Sequence, residues 1–487
     1  MLLTLINKEL RAILLSPKFV GTFAVCSILI LLSVYTGIRE YKTSLNRYNA
    51  ASQLVDQELR QQTSWGRMNT KVYRAPNPMQ IFIAGLDYDI GRWSRVSNES
   101  GAKLKDSAYS DEPIYAIFRF VDFAFIVQFI LTLFAILFTF DAINGEREDG
   151  TLKLVFSNPV SRAQYLIAKA VGSWLGLVVP ISIPILLGAL LIFFSGISFS
   201  YEQWIRIFLF FSLSLLLFTC FIVMGVFISS LTKRSSVSFL AAMVVWVILV
   251  MIVPRAGIMA AGQMIRVPRM AEVEAQIKGF SKDRWEKFYQ GMEDRWTDSD
   301  KAAMNGEGLS DEVLWTMMER EDSARMEIEA EIEHYDMRLR EDLRQRKLAQ
   351  EKLAFALSRF SPASSYQLGA MALAGTDIRV KTRYEDAINN YRNQFYQYVD
   401  EKKEETGDKG QIMMAISLSD DGNQSMSIGG SRSKEKLDVS AVPRFAAPEM
   451  ALKEVVEPVI VDFGLLILYA LLAFTGAFIA FLRYDVR

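Results

Sequence analysis

Histidine and cysteine are nearly missing from this 487-residue chain, which holds one of the first and two of the second. The single histidine, His334, argues against a histidine-built metal site, and no His-Glu-x-x-His stands anywhere to support a zinc peptidase. Both cysteines, Cys26 and Cys220, fall inside apolar blocks, so a disulfide framework is excluded and the redox compartment is unreadable. Neither sign of charge is in excess: 54 Lys and Arg face 55 Asp and Glu, a net charge of −1 that gives no reason to expect a nucleic-acid partner. No Gly-x-x-x-x-Gly-Lys-Ser/Thr run occurs, so the backbone amides and lysine that hold nucleotide phosphates are lacking. Ser230-Leu231-Thr232-Lys233 and Ser431-Arg432-Ser433-Lys434 fit Ser-x-x-Lys, a pattern too common by chance to carry catalysis alone.

What the chain has is apolar sequence in blocks. Hydrophobic residues make up 51% of it, and charges gather in separate stretches, the mark of an integral membrane protein. Residues 1–18 read as an interfacial amphipathic helix, with Leu3, Ile6, Leu10 and Ile13 on one stripe and Lys8, Glu9 and Arg11 between them. The first span is 19–38. A secretory signal is the rival reading, but the apolar run is long for one and no small-residue cleavage site follows Tyr35, so an uncleaved helix is expected. Residues 39–116 form a polar segment punctuated by Pro76, Pro78, Gly85 and Gly91. Further spans are expected at 117–140, 167–194, 205–229 and 237–253, the third carrying Pro180 and Pro184 and so a kink or break.

After Pro254 the composition turns hydrophilic, and 255–458 is long enough for an independent domain. Ile328, Ile332, Tyr335, Leu339 and Leu343 recur at helical spacing and predict a long amphipathic helix over 311–358. Such a charged helix suits a structural arm, or a docking surface built from its Met and Leu residues. A second helix is expected at 383–403, and turns, short strands or a loop at 406–440. Asp420-Asp421-Gly422-Asn423 reads as a turn, since it lacks full calcium-loop spacing. The sixth span is 459–482, with a tail at 483–487. The expected fold class is mostly α: a polytopic membrane protein with six transmembrane helices and an α-rich (α+β) extracytoplasmic domain.

Orientation follows from basic residues in short connections. The N-terminal helix, the 141–166 loop, the Lys233/Arg234 turn and the C-terminal tail all carry Lys or Arg and fall on one side, whereas Ser195–Gln203 carries none. That side is expected to be cytoplasmic, leaving 39–116 and 255–458 outside. Asp122 and Gln128 in the second span and Asp462 in the sixth are polar groups at membrane depth; for both carboxylates an interfacial position and a substrate contact stay open.

The 141–166 loop is compact and charged, with Glu146, Arg147, Glu148 and Asp149 together, then Gly150 and Pro159. A short helix between those two breaks, with Leu152, Leu154, Val155 and Phe156, would lie flat at the membrane surface and offer apolar contacts to a partner's groove. A solvated loop that merely anchors two spans is the other reading.

The run Asn144-Gly145-Glu146-Arg147-Glu148-Asp149-Gly150-Thr151-Leu152, followed by Ser157-Asn158-Pro159-Val160-Ser161-Arg162 and Lys169, resembles the signature of the ABC-2 type permeases, and sits between the second and third spans where that family keeps it. The resemblance implies that the segment couples to a separate ABC ATPase subunit, through Asn144, Glu146, Arg147, Glu148, Gly150, Thr151, Leu152, Ser157, Pro159, Arg162 and Lys169. It implies two ATPase copies that bind ATP and Mg, a second permease subunit, identical or paralogous, and a place in the cell (inner) membrane. Pro76-Asn77-Pro78-Met79, Gly85-Leu86, Ser361-Pro362, Ala374-Gly375-Thr376-Asp377 and Phe481-Leu482-Arg483-Tyr484-Asp485-Val486-Arg487 resemble a subgroup with a large outer domain before the last span. That domain departs from the family's pattern of short outer re-entrant helices. Two functions stay open: ATP-driven export, and mechanical transmission of ATP-driven motion to a periplasmic partner without a translocated substrate. A membrane-embedded enzyme is a third, needing titratable residues that converge in a pocket.

Overall fold

Among the described residues six helices are long and apolar enough to cross a membrane: Pro17–Arg60, Phe123–Glu148, Arg162–Phe194, Tyr201–Leu231, Ser235–Met264 and Leu452–Leu482. The computed structural model describes residues 2–87, 90–96, 104–105, 122–291, 296, 311–406, 413–418, 424–429, 436–448 and 450–483. The expected Asp420–Asn423 turn, Ser431–Lys434 and the tail beyond Arg483 lie outside the described residues.

The amphipathic helix α1 (Leu2–Leu14) ends at a short turn, and Ser16 caps the next helix, its Oγ accepting from Phe19 N at 3.2 Å with Pro17 at the first position. This helix, α2 (Pro17–Arg60), does not stop at residue 38 as the apolar run suggests. It has no Gly or Pro between 39 and 60 to end it, and at about 66 Å it is twice the thickness of a hydrocarbon core. A hairpin follows, β1 (Thr70–Tyr73) antiparallel to β2 (Trp93–Val96), with Thr70 opposite Val96 and Tyr73 opposite Trp93. The second span opens with a turn at Phe123–Phe125, passes through a π-helical stretch at Ile126–Leu131 and continues as α3 (Thr132–Thr139). Two short helices, α4 (Asn144–Glu148) and α5 (Thr151–Phe156), lie between it and α6 (Arg162–Phe194). Pro180 and Pro184 sit inside α6 without breaking it. Capping boxes at Ser161/Gln164 and Ser200/Gln203 start α6 and α7 (Tyr201–Leu231). The fifth span runs through α8 (Ser235–Val247), a π stretch (Ile248–Ile252) and α9 (Val253–Met264). Then come α10 (Met270–Gln290), α11 (Asp311–Ser358), α12 (Pro362–Ala374), α13 (Ile378–Thr406), the hairpin β3 (Met413–Leu418) with β4 (Gln424–Gly429), and α14 (Leu452–Leu482). The fold is mostly α, and the protein is a multi-pass membrane protein.

The chain forms two units, Met1–Met251 with Ser361–Arg487, and Ile252–Phe360. The hydrophilic block expected over 255–458 is therefore divided after Phe360. In the smaller unit α11 packs on α9 and α10: Phe280 stacks on Tyr335 at 4.1 Å, Arg284 pairs with Glu331 at 3.0 Å, and Gln350 Nε2 donates to Ile265 O at 2.8 Å. Its solvent face carries ion pairs one turn apart, such as Arg340–Asp336 and Arg346–Asp342, each worth a few tenths of a kcal/mol.

In the larger unit the main core joins α2, the second span, α6, α7 and α14, with Ile30, Phe123, Phe210, Phe221 and Leu466 fully buried. α3 and α7 approach closely at Gly225, where a Cβ would stand 1.9 Å from Thr139 Oγ1. The short helix α12 enters this core between α7 and α14, burying Tyr366, Ala370 and Leu373. Ser361 caps its start and Gly375, at φ 64°, ends it in the left-handed region that favours glycine. A second core, of Trp65, Val72, Val96, Ile388, Phe395 and Val399, joins the β1–β2 hairpin to α13.

Candidate coupling site

Four segments meet at α4 and α5: the N-terminal helix, the 141–161 connection, the 232–235 turn and the end of α14. The first three, with the tail that follows α14, are the segments expected from their basic residues to share one side of the membrane. Asn144 is fully buried and ties the connection to the end of α7, its Nδ2 donating to Thr232 Oγ1 at 2.9 Å and its Oδ1 accepting from Ser229 Oγ at 3.2 Å. Ser229 Oγ also accepts from Ile143 N at 3.0 Å. Glu148 reaches the first turn of α8, where it accepts from Ser235 N at 3.0 Å and Ser235 Oγ at 2.6 Å. A carboxylate there also meets the positive end of the helix dipole.

Glu146 is the centre of a four-charge chain. Its carboxylate accepts from Lys8 Nζ at 2.5 Å, Lys169 Nζ at 2.9 Å and Tyr165 Oη at 2.7 Å, and Lys169 pairs in turn with Glu9 at 2.7 Å. Lys169 is 4% exposed, so its ammonium depends on these two carboxylates in place of water. Signs alternate along Lys8, Glu146, Lys169 and Glu9, and the cluster is neutral. Lys18 adds a looser pair to Asp141 at 3.5 Å.

Gly150 (φ 71°) turns the chain from α4 into α5, and Thr151 Oγ1 donates back to Glu146 O at 3.2 Å. The apolar face of α5 points inward: Leu152 is buried with Tyr165, Val226 and Phe481, while Phe156 packs on Tyr165 at 5.3 Å and on Phe481 at 6.0 Å between ring centres. Ser157 Oγ donates to Leu154 O at 2.8 Å and closes the helix end. Arg162 donates to Phe481 O at 2.6 Å and to Leu482 O, and its guanidinium lies 5.8 Å from the Phe481 ring centre. It thus satisfies two terminal carbonyls of α14 and opposes that helix's negative end. Arg147 is half-buried.

Asn144, Glu146, Glu148, Arg162 and Lys169, expected to take part in coupling, bond to side chains and backbone of α1, α6, α7, α8 and α14. The outward edge is different: Asp149, Gly150, Lys153, Ser157, Asn158 and Pro159 are exposed, and Leu154 is 68% exposed.

The sequence matches the family of ABC-2 family transporter proteins over residues 3–486. The chain belongs to that family. Among curated proteins no relative matches. As an ABC-2 family member the chain is a membrane permease subunit of an ABC transporter, in a family whose members work with an ABC ATPase and lack the ATPase site themselves.

The intramembrane polar groups of this ABC-2 protein have structural places. Asp122 caps the second span through Phe125 N at 2.7 Å and accepts from Ala84 N at 3.0 Å, so it holds the 78–84 segment against the span start. Gln128 is buried and donates to Gln367 Oε1 of α12 at 3.5 Å. Asp462 is 1% exposed and faces Gly369 of α12, which places it inside the bundle. No group of three His, Cys, Asp or Glu among the described residues is arranged to hold a metal. Sequence reading missed Glu9, Tyr165, Ser229, Thr232 and Ser235 as parts of the site. One signal was present: Lys169 opens an apolar run alone, and a lone ammonium there requires a counter-charge.

Proposed function

We propose that residues 141–162 receive the ATPase and pass its movement to the spans. The observation that supports this reading is the division of labour within the segment. Its charges anchor it to α1, α6, α8 and α14, while the edge carrying Leu154, Lys153 and Asn158 is left to a partner. An exposed leucine ringed by polar groups suits a shallow groove on another protein. In this reading the four clustered segments are cytoplasmic, two ATPase subunits bind ATP and Mg below, and a second permease, identical or paralogous, completes the transporter. ATP binding closes the ATPases and moves the anchored segment as a rigid body. Export of a substrate is the first outcome of that movement.

Mechanical transmission is the second reading, and α11 favours it: 48 residues make a helix about 72 Å long, with ion pairs along its surface. A dimer with a tightly packed apolar seam would support transmission, and a polar, roomy seam export.

The test is purification with the ATPase and measurement of turnover. Leu154→Glu should leave this subunit's fold intact yet weaken assembly at least about tenfold. Unchanged assembly and turnover would sink the assignment of this edge. Labelling of a cysteine placed at the exposed Tyr289 from the cytoplasmic side alone would overturn the topology.

A further inference from the structure

A cleft of about 760 Å³ lies among the polar half of α2, β1 and the 436–445 segment, well away from the coupling site. One wall is the α2 face bearing Tyr48, Ser52, Asp56 and Leu59, residues three to four apart and so on one stripe. The third wall is held in place by Leu437 N donating to Gln62 O at 3.0 Å and by Tyr391 Oη donating to Pro443 O at 3.0 Å.

All four residues of β1 line the cleft. Successive strand residues point to opposite faces, so a cavity touched by Thr70, Lys71, Val72 and Tyr73 together must run along the strand's edge. β2 occupies the other edge, and among the described residues no backbone group bonds to β1 from the cleft side. The cleft therefore presents the unpaired backbone donors and acceptors of the alternate residues Lys71 and Tyr73.

Its charge is net positive: Arg60, Lys71, Lys436 and Arg444 line it with two carboxylates, Asp56 and Asp438. Lys71 pairs with Glu58 at 3.4 Å, and Arg60, Lys436 and Arg444 have no acidic partner among the described residues. Lipid headgroups are too far away to supply the balancing charge. Along α2 the cleft begins about 15 Å beyond Ile38, the end of the apolar run, and the headgroup layer is only about 5–8 Å deep.

We infer that the cleft binds an extended acidic peptide segment of a protein partner, which adds a strand to β1 while its carboxylates meet Arg60, Lys436 and Arg444. The open strand edge supplies affinity that does not depend on side chains, and the three cations select the charge.

The experiment uses the full chain in nanodiscs of phosphatidylcholine and fluorescence anisotropy of a labelled peptide of alternating Glu and Val. Saturable binding is expected, at least about tenfold weaker for Lys436→Glu combined with Arg444→Glu. Arg60→Glu, on a different wall, should weaken it similarly, and all three side chains are exposed, so folding is not at stake. A backbone N-methylated version of the peptide should bind at least about tenfold more weakly, because it cannot donate along the strand edge. Absence of saturable binding would overturn the inference, as would equal binding of the N-methylated peptide or of a Lys–Val counterpart. Full displacement by inorganic phosphate, or binding to nanodiscs carrying phosphatidylglycerol in place of peptide, would reassign the cleft to small anions or to lipid.

Discussion

Replacing Glu146 by glutamine removes one charge from the centre of the four-charge chain while keeping the side chain's shape. The cost can be worked from its neighbours. Breaking a buried pair by deleting one partner costs about 3–5 kcal/mol. Here Lys169, 4% exposed, keeps Glu9 at 2.7 Å, and Lys8 is 46% exposed and can turn to water. The loss should therefore fall to about 2–3 kcal/mol. It should be felt locally, in the free energy that holds α4 and α5 on α1 and α6. Amide hydrogen exchange over 144–156 in the reconstituted protein reads that quantity directly, and should speed up about 30- to 160-fold in Glu146→Gln. Adding Lys169→Met and Glu9→Gln together should recover part of the loss, since no unpaired buried charge then remains. If exchange in Glu146→Gln stays within about twofold of wild type, or if the triple variant is no better than the single, the anchoring argument fails.

Arg162→Ala should free the last carbonyls of α14 and raise exchange in that helix's final turn, at a cost of about 1–2 kcal/mol, with Arg162→Lys intermediate because one ammonium cannot serve both carbonyls and the Phe481 ring. Gly225→Ala should lower thermal stability by about 1–3 kcal/mol through the clash with Thr139, and Thr139→Ala on top of it should relieve part of that clash. Asp122→Ala should cost about 1–2 kcal/mol, as both Phe125 N and Ala84 N lose their acceptor. Burial pushes the Tyr391 hydroxyl up to about 12 from an ordinary value of 10.0. Since the phenolate is disfavoured in the folded state, its stability contribution is whole below pH 10 and is lost as pH rises toward about 12; phenolate absorbance at Tyr391, against a Tyr391→Phe control, follows it.

The spans were legible because each is an apolar run too long for anything but a buried or membrane helix, and 311–358 was legible because its apolar residues keep helical phase over many turns. Helix ends were not. Nothing in 39–60 favours helix through hydrophobic pattern, yet nothing interrupts it, and α2 simply continues into solvent. The burial of α12 was hidden by its length: thirteen residues are too few to cross a membrane, and only its run of Ala, Gly and Ser hinted at close packing between helices. At the coupling site the sequence displayed the charges but not their partners. Glu146 and Lys8 are 138 residues apart, Arg162 and Phe481 319, and no local spacing rule spans such distances. Hence the residues that marked the segment as special gave no sign of the long-range bonds they make within the chain.

That arrangement has a mechanical consequence. Bonds leave α4, α5 and the start of α6 for α1, the end of α7, the start of α8 and the end of α14, so the segment is tied down at several separate points around its perimeter. In the proposed coupling role, a load applied by the partner at Leu154 would be shared among these ties in parallel, and the helices they join would be displaced together.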